Sequence, residues 1–162
     1  MQIIHSTITF VLIFITLYSY GFAISNKIYK RKNVDIFFTI LVGYIVVGTI
    51  TLILHFFFKI NNFVSIFFIT SSLIIFYYFC HKIEIKKNLL CIFIILLFSF
   101  FLFGYSDHPI DTNMYHHPYV SYLKSEKIIF AIANIQFRFG HISFLQYVQS
   151  ALTNDYLHEI SL

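Results

Sequence analysis

The chain has 162 residues, of which 59% are hydrophobic, 21% aromatic and 11% charged, and its mean hydropathy is +0.80. A soluble globular domain carries about a quarter charged residues, so this chain has too little polar surface to cover a globule, which excludes a soluble enzyme, a disordered tail and a free nucleic-acid-binding domain. The excess of 11 Lys+Arg over 7 Asp+Glu, net +4, lies in short clusters between apolar runs, the pattern of a protein embedded in a lipid bilayer.

Four apolar stretches predict an all-α, polytopic helical membrane protein with about four transmembrane helices. They cover about residues 7–25, 36–58, 63–80 and 89–105, and none contains Asp, Glu, Lys or Arg. At ~1.5 Å rise per residue, about 20 residues cross a hydrocarbon core of ~30 Å. The first two stretches are long enough; the last two need flanking residues or local thinning. The many Ile, Val, Phe and Thr residues favour strands in water, but helices satisfy their own backbone groups inside lipid. Residues 1–7 carry no Lys or Arg, so the first stretch reads as an uncleaved span and not as a secretory signal.

Positive charge sets the orientation. The first connector holds Lys27, Lys30, Arg31 and Lys32 against Asp35; the second holds Lys59 alone; the third holds Lys82, Lys86 and Lys87 against Glu84. This alternation places connectors one and three in the cytoplasm, and the N-terminus and everything after residue 105 outside. Cys80 and Cys91 lack metal-ligand spacing and read as small buried residues. Gly43 and Gly48 are five apart, so they make no G-x-x-x-G face. Ser71, Ser72, Thr49 and Thr51 could bond neighbouring helices, while the simpler reading of each is a bond to a carbonyl of its own helix. His55 reads as an interfacial residue, and Tyr18, Tyr20, Tyr77, Tyr78 and Tyr105 as an aromatic belt.

Residues 106–162 form a second region of different composition, an outward-facing loop with short interfacial helices. The run Ser106-Asp107-His108-Pro109-Ile110-Asp111-Thr112-Asn113-Met114-Tyr115-His116-His117-Pro118 gathers groups that move protons or bind cations. Pro118 suits the first turn of a short helix over 119–124, followed by the polar turn Ser125-Glu126-Lys127. Residues 128–135 are apolar but too short to span. Ser143 is placed to cap a helix over 144–153 that carries Gln146, Gln149 and Ser150. Three readings fit Asp107, His108, Asp111, His116 and His117. They are a divalent-metal site, a desolvated carboxylate acting as general base, and a turn that caps a helix. The spacing matches no closed zinc motif, and no metal ligand is assigned. Arg138, between Phe137 and Phe139, suits either bidentate phosphate binding or an interfacial anchor.

The element Asp111-Thr112-Asn113-Met114-Tyr115-His116, followed by Ala131-Ile132-Ala133-Asn134-Ile135-Gln136-Phe137-Arg138-Phe139-Gly140, resembles a group of bacterial polytopic membrane proteins. Those proteins carry Asp-Thr-x-x-Tyr-His and then Gly-Leu-Ala-Asn-Leu-His-x-Arg-Phe-Gly, and are similar to GT-C-type glycosyltransferases that use lipid-phosphate-linked sugars. Ala131 stands where the group often has Gly, and Gln136 where it often has His. The resemblance covers about residues 111–154. It implies Asp111 as the acidic catalytic centre with Tyr115 and His116 beside it, and Asn134 and Arg138 as substrate-binding residues. A divalent cation is compatible with it as cofactor.

The resulting expectation is the N-terminal part of an envelope glycosyltransferase in the bacterial plasma membrane. Its partners would be the bilayer, a polyprenyl-phosphate sugar and a separately encoded C-terminal part, with no nucleic acid. Alone, the piece is expected to be inactive. The competing expectation is a small non-catalytic four-span protein that binds or scaffolds another membrane protein.

Overall fold

The computed structural model describes residues 2–29, 35–79, 97, 117–128 and 144–153. Five helices have described bounds: α1 (Gln2–Tyr29), α2 (Ile36–Phe57), α3 (Asn62–Phe79), α4 (His117–Ser125) and α5 (Phe144–Leu152). No strand occurs among the described residues. Three stretches, Thr7–Ile28, Ile36–Phe57 and Asn62–Phe79, are helical, long enough and apolar enough to cross a membrane. The fourth expected span, 89–105, lies outside the described residues apart from Leu97, as do the third connector and Tyr105.

Local chemistry starts the helices. Asp35 precedes α2 and its carboxylate accepts from the Phe37 amide at 3.0 Å, filling a donor that the first helical turn leaves open. Asn61 does the same for α3, its side-chain oxygen accepting from the Val64 amide at 3.4 Å, while its backbone carbonyl accepts from the Val64 and Ser65 amides at 3.0 and 3.3 Å. Pro118 sits in the first turn of α4, where its missing N–H costs nothing.

The described chain divides into two compact units: Met1–Val46 with Phe68–Ser106, and Val47–Phe67 with Asp107–Leu162. In the first, α1 meets the early turns of α2 at a glycine pair. A Cβ on Gly21 would strike the Thr39 carbonyl, and one on Gly43 the Leu17 carbonyl, so the two backbones touch without side chains between them. Beside this crossing, Tyr18, Phe22 and Ile36 form a buried cluster covered by Phe14, Ile40, Phe76 and Phe79. Thr16 Oγ1 bonds Ser72 Oγ at 3.0 Å and Tyr20 Oη bonds Ser71 Oγ at 2.7 Å, tying α1 to α3. Both alternatives for these hydroxyls occur together: Ser71 and Ser72 bond carbonyls of their own helix and also link helices. Tyr18 departs from the expected belt because it is buried. Tyr77 and Tyr78 are 78% and 70% exposed, as belt residues are.

In the second unit, α4 and α5 pack on each other through Tyr119, Leu123 and Tyr147, with Leu52 of α2 and Tyr122 against them. The helix over 144–153 expected from Ser143 onward forms as α5, and every residue from Gln146 to Leu152 is buried in protein. Phe144 lies over Gly48, where a Cβ would strike its ring. Ser65 Oγ of α3 donates to the Thr153 carbonyl at 2.9 Å. The polar side chains of α5 therefore face protein, and α2 and α3 supply the surface that covers it.

Candidate functional site

His55 is the most constrained polar residue described. It is fully buried near the end of α2. Its Nε2 lies 3.1 Å from the Glu126 carbonyl oxygen and its Nδ1 3.1 Å from Tyr147 Oη. A carbonyl only accepts, so Nε2 carries the proton. In the neutral ring Nδ1 is then the acceptor, and Tyr147 must donate to it. The Tyr119 hydroxyl interacts with that of Tyr147. Two directed bonds hold the imidazole: Tyr147 O–H to Nδ1, and Nε2–H to the Glu126 carbonyl. Edge-on ring contacts of His55 with Tyr147 at 5.5 Å and Tyr122 at 6.0 Å pack its flanks.

Backbone bonds lock the surroundings. The Ile60 amide donates to the Leu123 carbonyl at 2.9 Å, and the Ile128 amide to the His55 carbonyl at 3.3 Å. Tyr122 Oη closes the turn by donating to the Lys127 carbonyl at 3.0 Å. Burial raises the Tyr147 hydroxyl far above its ordinary value, and the neighbouring Tyr119 adds to the shift. Burial likewise raises Tyr119, with the Tyr147 hydrogen bond acting against it. Both phenols are therefore neutral donors at physiological pH. Because both imidazole nitrogens are taken and the ring has no solvent exposure, His55 orients the segment around it and is not a free base toward a substrate.

The accessible chemistry lies next to this network. A groove of about 810 Å³ opens at the α2–α3 turn, lined by Leu54, Phe58, Lys59, Asn61, Phe63, Val64, Phe67 and residues 125–128. Its walls are apolar; Lys59, Glu126 and Lys127 are exposed there and form no ion pair among the described residues. Lys124, just before the groove residue Ser125, ends in a buried ammonium with no hydrogen-bond partner among the described residues.

The residues that the sequence singled out, Asp111, Tyr115, His116, Asn134 and Arg138, lie outside the described residues. No cluster of His, Cys, Asp or Glu able to hold a metal ion occurs among the described residues. Sequence reading missed His55 as a central residue. The available signal was an ionisable side chain inside an apolar span, which by default marks a site.

Residues 3–162 match a family described as a domain of unknown function, DUF8201. The chain belongs to this family. No curated protein and no solved structure matches it.

Proposed function

We propose that the chain supplies the motif-bearing part of a bacterial plasma-membrane glycosyltransferase that uses a polyprenyl-phosphate-linked sugar. Asp111 takes the proton from the acceptor hydroxyl as the lipid phosphate departs, with Tyr115 and His116 beside it and Asn134 and Arg138 toward the phosphate. The observation that carries this reading is the groove at the α2–α3 turn. It joins apolar walls to two lysines that form no ion pair among the described residues, the combination a lipid phosphate requires. Lys124, beside the groove residue Ser125, is a third lysine, with a buried Nζ that has no hydrogen-bond partner among the described residues. Asp111 to His116 lead directly into α4, the helix that carries Lys124.

Topology supports the same reading. The end of α2 and the turn after it are hydrogen-bonded to residues 128 and 123, which supports a reading with both on one side of the membrane. That reading has an even number of crossings between them: α3 and one more, for which the apolar stretch 89–105 is the candidate. With the lysine-rich connectors inside, this reading puts them at the outer face, where Asp111 would meet an outward-facing lipid-linked donor.

The test is transfer from a radiolabelled polyprenyl-phosphate sugar by membranes containing the natural full-length gene product. Asp111→Asn is expected to lose ~10²–10⁴-fold in turnover. Equal turnover of the two forms removes Asp111 from the mechanism and favours the non-catalytic scaffold.

A further inference from the structure

We propose that, whenever no polyprenyl-phosphate donor fills it, the groove at the α2–α3 turn holds one anionic membrane phospholipid. Its phosphate lies at the rim that bears Lys59 and Lys127, and an acyl chain lies along Phe58, Phe63 and Phe67. The inference rests on α2 and α3 lying in a membrane and not on the transferase reading. Three features point to this occupant.

The groove wall is built from large apolar side chains that stay uncovered by protein. Phe58, Phe63 and Phe67 are 60%, 76% and 56% exposed. The groove sits where α2 ends and α3 begins, the depth at which lipid headgroups meet water. Lysines at such positions extend their apolar stems along the chains and place the ammonium at the phosphates.

Charge selects among lipids. Lys59 and Lys127 outnumber Glu126 at the rim, so an anionic headgroup is favoured over a zwitterionic one of the same chain length. Glu126 opposes the anion, which gives the proposal a sign that a generic greasy surface lacks. Each lysine near an anionic lipid surface is worth about fivefold in affinity. Removing both should therefore cost roughly 20- to 30-fold, and removing the Glu126 charge should strengthen binding.

The experiment is native mass spectrometry of the full chain in detergent, titrated with dioleoylphosphatidylglycerol or dioleoylphosphatidylcholine. One phosphatidylglycerol is expected to stay bound, and phosphatidylcholine to be lost under the same conditions. Lys59→Gln with Lys127→Gln should lower phosphatidylglycerol occupancy at least tenfold, and Glu126→Gln should raise it. Val64→Trp, which fills the groove without touching the charges, should abolish retention, with helix content checked by circular dichroism. Equal retention of the two lipids, unchanged occupancy in the double lysine variant, or a second copy of the chain displacing lipid from the groove would each overturn the proposal. Loss of sugar transfer in Asp111→Asn with phosphatidylglycerol still bound leaves it standing.

Discussion

Tyr147 holds a partner that has no other donor. Its hydroxyl gives a proton to His55 Nδ1 at 3.1 Å. Tyr147→Phe removes that bond and keeps the ring, stranding a buried imidazole nitrogen. Leaving such a group unpaired costs about 1–3 kcal/mol. Tyr122→Phe should cost less, because the bond from Tyr122 to Lys127 is exposed and water can replace it. Thermal unfolding of the two variants in the same detergent checks the order. The tyrosines also set an alkaline limit. Burial raises both Tyr119 and Tyr147 above the ordinary 10.0, so above pH 10 the unfolded chain releases protons that the folded one keeps. Their stabilisation is fully present below that pH and declines as pH rises toward the folded values. Stability should fall above about pH 10, and less steeply in Tyr147→Phe. None of this was legible around residue 55: a lone His in an apolar run has no local feature that distinguishes an interfacial ring from one bonded to residues 71 and 92 positions away.

At the scale of elements, close backbone approach should outweigh the polar contacts between α1 and its neighbours. Gly43→Ala would drive a methyl group into the Leu17 carbonyl of a facing helix, and backbone cannot rotate away as a side chain can. Overpacking of this kind costs about 1–3 kcal/mol or more. Ser72→Ala removes one interhelical hydrogen bond, worth about 0.6 kcal/mol on average in a membrane because the separated helix finds other partners. Thermal midpoints of the two variants, followed by size exclusion, should therefore rank Gly43→Ala as clearly the more damaging. The sequence reading searched for paired glycines within one helix and found none. The pair that matters is split between α1 and α2. For α5 the sequence located the helix but not its surroundings: neighbouring helices bury Gln146, Gln149 and Ser150, which its local composition does not reveal.

For the whole molecule, the side of the membrane on which each segment lies has the widest consequences. Single cysteines at Lys30, Lys59 and Lys127, probed in intact cells with an impermeant thiol reagent, give a direct reading against a Cys80→Ser, Cys91→Ser background. Positions 59 and 127 should react together and position 30 should be protected. Labels on opposite sides for 59 and 127 would contradict the hydrogen bonds between their neighbours. Protection of both would place the Asp111 segment in the cytoplasm, away from an outward-facing donor. The lysine alternation predicts this arrangement from sequence, because charge in connectors acts segment by segment.

By itself the sequence determined the solvent class, the places of α1, α2 and α3, and the starts of α4 and α5. Each of these depends on signals within a few residues: the length of an apolar run, a serine placed to cap, a proline that suits a first turn. Only the tertiary structure decided that Gly21 meets Gly43, that α5 is buried, and that His55 is held between Tyr147 and the Glu126 carbonyl. Those outcomes depend on which helix faces meet. Packing shape and the pairing of buried donors with acceptors settle that across long stretches of chain, and no local window contains both partners.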